Sequence, residues 1–500
     1  MSLTIASPIA TRELRQAARQ KRGPILLGAL GTVAPLLAML FASMMSSPWE
    51  TPASIGRFVF EAMVTLALFA VVLVGVTCAA NSVASEREGH TWEALLLSGL
   101  GRSSIVRGKF LGAFAQAALY ALALAPSMGL SFLIGGVTVT EIVIAFGLVL
   151  AVGAVAVLFG LAVSSFARTA RGALAGALVA TLIVFPMIYG LFVGLGFGVA
   201  SIMGDSDARG ATWLAHAIVS APFGARSFVF FALDPLLVLA VPAWLVYEVT
   251  KANVSDPSDD RSTGLRRWYV FSTLLLLGGS IATLFAVPDQ RDTHEMLGVG
   301  LLAMMALHLG FSSLVFGGEP LGPSRRVAAR GVRFIGIVPA TVLHAALGTL
   351  VLGVIYGLLG ITTDKSEHAA IVFACARYVI VFHLFLAGAT GVFAARFQRA
   401  NLVRGIIVAI TLVLTVLPLV VGSIGKALTG GQGWGLVEAM SPLFPVVMTS
   451  RSFLEPSSVG ESWVATILYG ITGVMLVAGT WVARERARSN RRSTPAMANR

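Results

Sequence analysis

The 500 residues are 56% hydrophobic and 12% charged, with a mean hydropathy of +0.85, whereas a soluble globular chain carries about 25% charged residues. Apolar runs of about 18 residues or more recur throughout, which excludes a soluble globule and indicates a polytopic α-helical membrane protein; the alternating ten-residue segments of a membrane β-barrel are missing. The net charge of +12 is spread over many short segments without one basic patch or interleaved aromatics, which argues against a nucleic-acid partner.

Residues 1–23 have a basic, amphipathic character, with Ile9, Leu14, Ala17 and Ala18 set among arginines. They fit a helix lying on the inner membrane surface, or a solvated basic tail. The first apolar run starts only after this charged segment and is too long for a cleavable signal peptide, so the first span itself would direct insertion. Twelve spans follow. The first six lie at 24–46, 58–80, 110–134, 141–166, 172–198 and 230–249. The second six lie at 269–287, 296–316, 334–360, 369–394, 405–425 and 462–482. With an inside N-terminus, the inner segments hold 28 of the 36 Lys and Arg, the outer segments hold seven, and Arg377 lies within a span. That bias fits both termini in the cytoplasm.

The stretch 81–109, NSVASEREGHTWEALLLSGLGRSSIVRGK, interrupts two apolar runs with charge. Thr91 can cap a short helix, with Glu93 near its positive end. Gly99 and Gly101 can end it, and Ser103 or Ser104 can start the next helix. A short helix against the inner membrane face fits this pattern, as does a plain solvated loop.

The chain repeats itself. FARTARGALAGALVATLIVFPM (166–187) resembles FQRANLVRGIIVAITLVLTVLPL (397–419). Arg226-Ser227-Phe228 parallels Arg451-Ser452-Phe453, and Glu86 parallels Glu319. The near-common offset, with six spans between copies, predicts two parallel six-span halves, 24–249 and 269–482. A polar linker, 250–268, separates them. The tail, 483–500, is basic and reads as disordered. The segment 317–333 is a shortened counterpart of 81–109, and Pro320 and Pro323 would break a helix there.

No Walker A loop is present, so the chain is not expected to hydrolyse ATP or to be an enzyme. Cys78 and Cys375 lie in apolar runs and suit packing rather than a disulfide framework or a zinc site. Glu61, Arg377 and His383 are candidates for an intramembrane polar site. His308 and His344 are further histidines inside spans. Gly190-x-x-x-Gly194 and Gly353-x-x-x-Gly357 are candidate helix contacts, and Pro126, Pro186 and Pro418 are candidate kinks. Two outer segments, around Pro222-Phe223 and Phe444-Pro445, could form interfacial helices, or loops anchored by Trp213 and Trp434.

Ser85-Glu86-Arg87-Glu88-Gly89, Thr91 through Leu96, and Arg102-Ser103 through Ile105 to Gly108-Lys109 together resemble the signature of type-2 ABC transporter permeases. The resemblance is strongest over the first 190 residues or so. It implies that 1–23 is an entry helix and that the outer segments are gate helices. It also implies that 81–109 couples to a separate ATP-hydrolysing subunit through Glu86, Arg87, Glu88, Thr91, Trp92, Glu93, Leu95, Leu96, Arg102, Arg107 and Lys109. ATP and magnesium would sit on that partner, with no cofactor on this chain. The expected partners are the ATPase and the lipid bilayer of a bacterial plasma membrane. The fused halves allow one permease chain per complex, or a homodimer. On this reading the chain is an exporter permease, and charge reversal at Glu86, Glu88 or Arg107 uncouples hydrolysis from transport without unfolding. The alternatives are a twelve-span carrier driven by an ion gradient and a non-transporting membrane scaffold or enzyme component.

Overall fold

A backbone crossing lipid must satisfy its own polar groups, so apolar runs of this length become helices. The computed structural model describes residues 8–19, 22–45, 51–203, 210–255, 261–286, 291–317, 340–363, 369–397, 399–429, 435–441 and 458–493. Among them there is no strand. Among the described residues, ten helices are long and apolar enough to span a membrane. The expected spans at 24–46 and 296–316 are helical but contribute only shorter apolar stretches, Leu27–Leu37 and Gly300–Phe316.

The chain divides into two compact units, Met1–Arg261 and Ser262–Arg500. The first contains α1 (Pro8–Ala18), α2 (Arg22–Met45), α3 (Pro52–Glu88), α4 (Trp92–Leu97) and α5 (Arg102–Ile134). It continues with α6 (Val139–Phe166), α7 (Ala170–Met203), α8 (Trp213–Ser220), α9 (Ala225–Phe228) and α10 (Asp234–Val254). Helix α3 packs on α5, α6 and α7; α10 packs on α6, while α1 and α2 pack on α5. The α3–α6 crossing is close because its contact face is glycine. A Cβ on Gly153 would lie 2.2 Å from Val71 Cγ1, and one on Gly160 would lie 2.6 Å from the Val76 carbonyl oxygen. Gly190, Gly194, Gly353 and Gly357 meet nothing within 4 Å among the described residues. The glycine spacing at those four positions therefore marks no helix contact there.

The second unit contains α11 (Thr263–Ala286), α12 (Arg291–Phe316), α13 (Ala340–Thr363), α14 (Ala369–Arg396), α15 (Ala400–Thr429), α16 (Gly435–Glu438) and α17 (Ser458–Ser493). Helix α14 packs on α12, α13 and α17. The same relations recur in both units. Helices α6 and α14 are each 28 residues long and start at Val139 and Ala369; α7 and α15 start at Ala170 and Ala400, the same separation. Pro126, Pro186 and Pro418 all lie inside continuous helices.

Several boundaries differ from the sequence expectation. The linker at 250–268 is helical at both ends, because α10 runs to Val254 and α11 starts at Thr263. The tail is helical through Ser493, since its Arg- and Ala-rich sequence continues α17 without a breaker. Glu319, most of 317–333, Trp434, Phe444-Pro445 and Arg451-Ser452-Phe453 lie outside the described residues.

Candidate functional site

At 37 residues, α3 is about 55 Å long, well beyond a hydrocarbon core of about 30 Å. Its charged last turns therefore project from the apolar slab. There Glu86 is buried rather than solvated. Its Oε1 lies 2.7 Å from Arg12 Nη2 and 3.1 Å from Lys109 Nζ. Lys109, with a side chain only 1% exposed, also lies 3.4 Å from Glu13 Oε1 and donates to the Ser82 carbonyl at 2.7 Å. Two acids and two bases thus join α1, α3 and α5 into one neutral cluster. Charge reversal at Glu86 would leave like charges buried together, so it cannot act on coupling alone as expected. Arg12 and Glu13 had no distinguishing mark in the sequence beyond the acid amid bases at Glu13.

Arg87 and Glu88 are also committed. Arg87 donates to the carbonyls of Ser165 (2.7 Å) and Asn253 (3.4 Å), and its guanidinium lies 5.5 Å from the centre of the Trp92 ring. Glu88 Oε2 accepts from the Ala170 backbone N–H at 2.8 Å. It thereby caps α7 and places a negative charge at its positive end. Ser164 Oγ accepts from the backbone N–H groups of Val83 and Ala84, both at 3.0 Å.

The chain turns back at Gly89-His90, with His90 at φ 54°. Thr91 precedes α4 but does not cap it by side chain as expected; its hydroxyl donates back to the Glu86 carbonyl. Gly99, at φ 73°, supplies the left-handed residue after α4. Helix α5 starts earlier than expected, at Arg102, with Gly101 as its N-cap. Between these turns α4 presents an exposed face. Thr91, Glu93 and Arg107 are exposed; Trp92, Leu95, Leu96 and Arg102 are half-buried; Leu97 is 86% exposed.

At the other end of α3, Glu61 is not an isolated charge in a span. Its Oε1 accepts from the Ala211 backbone N–H at 3.3 Å. Gly210, at φ 74°, lets the chain pass so close that a Cβ there would sit 1.8 Å from that oxygen. Helix α8 follows directly. Trp213 Nε1 donates to the Phe192 carbonyl at 2.9 Å, and His216 Nδ1 lies 2.7 Å from Glu141 Oε1. Glu141 also forms a capping box with Thr138 at the start of α6. Beside Glu61, a cavity of about 600 Å³ between α3 and α7 is lined by Phe58, Thr65, Phe69, Phe185 and Tyr189.

The other two polar candidates belong to the second unit and make separate contacts. His383 Nε2 lies 3.2 Å from the His344 carbonyl oxygen, which also accepts from Tyr269. His344 in turn bonds Ser313, and His308 bonds Thr273. These are buried histidines with hydroxyl and carbonyl partners, and no group of three metal-ligating side chains is present among the described residues. Arg377 lies over the Trp463 ring instead, 4.2 Å from its centre. In the same unit α16 is held by Lys426 to Glu438 (2.6 Å), Ser441 to the Thr415 carbonyl (2.6 Å) and Tyr378 to the Ala439 carbonyl.

Residues 8–208 match a family described as ABC-2 family transporter protein. No curated protein and no solved structure matches the chain. The matched region holds α1, the ion cluster, α4 and the α8-facing end of α3. Over residues 8–208 the chain is therefore similar to the ABC-2 family transporter proteins.

Proposed function

We propose that this chain is the permease of an ATP-driven exporter and that a separate nucleotide-binding subunit docks on α4. The observation that carries this reading is the exposed tip of α4. Leu97 is 86% exposed on a short helix whose flanks are pinned by Glu86, Arg87, Glu88 and Lys109. A leucine so exposed on a well-anchored helix outside the membrane is suited to burial by a partner. The docking contacts then come from Thr91, Trp92, Glu93, Leu95, Leu96, Leu97, Arg102 and Arg107, while Glu86, Arg87, Glu88 and Lys109 position them. ATP and magnesium belong to the partner. The repeated helix relations favour two six-span halves with both ends in the cytoplasm of a bacterial plasma membrane, so that one chain could supply both halves. The α3–α7 cavity, apolar with Glu61 at its rim, would admit an amphipathic cargo.

The test is a gentle-detergent pull-down of the tagged full chain, with ATPase activity measured on what accompanies it. Wild type should bring down an ATPase, and Leu97→Asp should lose it while keeping the wild-type melting temperature. An undiminished ATPase complement on Leu97→Asp would refute the docking surface. A wild-type chain that purifies alone and transports under an ion gradient would refute the ATP-driven reading itself.

A further inference from the structure

Among the described residues, Arg377 has no polar partner, unlike Lys426 and Arg404 of the same unit. Lys426 reaches Glu438, and Arg404 Nε donates to the Leu314 carbonyl at 3.1 Å. No carboxylate pairs with Arg377 among the described residues, and its buried Nε has no hydrogen-bond partner. An arginine within a span is costly unless paired or brought to the membrane boundary.

Arg377 is put within snorkelling reach of the boundary by the early turns of α14. It is the ninth residue of α14, about 12 Å from the helix start. Trp463 is the sixth residue of α17, about 8 Å from that helix's start. The two helices run parallel: Tyr378 meets Tyr469, and Gly388 meets Leu476 further along. Both side chains therefore lie near the same membrane face. Trp463 is 48% exposed, as suits a tryptophan at the level of lipid headgroups.

The indole covers one face of the guanidinium and fixes its plane. The donor edge remains, and a guanidinium edge matches the paired oxygens of a phosphate. We propose that Arg377 and Trp463 form a seat for a phosphate-bearing anion at this membrane boundary, with the headgroup of an anionic lipid as its source. The half-exposed indole favours a lipid over a free anion, because the ring would lie against the acyl-chain boundary while the phosphate meets the arginine.

The test uses the full chain purified in mild detergent and titrated with phosphatidylglycerol, with retained lipid read by native mass spectrometry. Wild type should hold phosphatidylglycerol in preference to zwitterionic phosphatidylcholine. Arg377→Gln should bind it about tenfold more weakly, as expected for one charge-assisted contact. Trp463→Leu keeps the charge but removes its platform; it should weaken binding too, and it serves as the readout should Arg377→Gln not fold. Competition by millimolar inorganic phosphate would identify free phosphate as a ligand of the same seat; no competition would assign it to the lipid. Wild-type retention by both variants, or equal retention of the two lipids by wild type, would overturn the proposal.

Discussion

Replacing Lys109 with methionine tests whether the ion cluster holds α1, α3 and α5 together. The ammonium lies 3.1 Å from Glu86 and 3.4 Å from Glu13. At an effective dielectric of about 20 each attraction is about 5 kcal/mol. Against this stands a desolvation cost of several kcal/mol for each buried ion. The Arg12 side chain, 59% exposed, adds less than about 1 kcal/mol after solvent screening. The intact cluster is thus close to balance, but Lys109→Met leaves Glu86 buried without its main counter-charge. The expected cost is about 3–5 kcal/mol, read by denaturant titration in detergent. Adding Glu86→Gln to Lys109→Met should recover most of that loss, because the uncompensated charge is then gone. A Lys109→Met cost below about 1 kcal/mol, or strictly additive effects in the pair, would refute the reasoning.

Three further outcomes follow from the described contacts. Gly160→Ala should destabilise the protein by about 1–3 kcal/mol, since its Cβ meets a backbone carbonyl that cannot rotate away, whereas Gly190→Ala should stay within about 0.5 kcal/mol of wild type; thermal melts compare them, and equal melts would contradict the α3–α6 crossing. Glu88→Gln should cost about 1 kcal/mol through the weakened cap on α7, with faster hydrogen exchange confined to the first turn of that helix. Gly210→Ala combines a strained φ with a clash against Glu61, so limited proteolysis should cut near α8 faster than in wild type, while Gly224→Ala, with open space around it, should not change the cleavage rate.

The helices were legible because apolar runs have few alternatives in lipid. Helix ends were less legible wherever charge continues a helix. Ser85-Glu86-Arg87-Glu88 reads as a loop after a span, yet glutamate and arginine are good helix formers, and α3 runs on through them. The same misreading shortened α10, α11 and α17. The charged stretch 81–109 was legible as a stretch, but its division into inward and outward residues was not. Glu86 and Glu93 look alike in sequence; only the approach of Arg12 and Lys109, 74 and 23 residues away, buries one and leaves the other exposed. Glu61 met a backbone N–H 150 residues distant, a contact that has no local signature. Glycine spacing shows which helix faces can come close, not which ones do, and so it missed the glycines at the α3–α6 crossing.

One consequence concerns α3 as a mechanical body. It is a single uninterrupted rod with Glu61 near one end and Glu86 near the other, about 37 Å apart along the axis. Val71 and Val76 pack against the glycines of α6 close to the midpoint between them. A rod held tightly at its middle tilts about that fulcrum, and its ends swing in opposite directions. A tilt of about 5° would carry each end about 1.5 Å, given arms of about 15–20 Å. The Glu61 end bears on the segment leading into α8, and the Glu86 end bears on the turn leading into α4. If α3 pivots there under the proposed docking at α4, a push of that size would reach the far end of the unit with its sign reversed, without any part of α3 having to unwind.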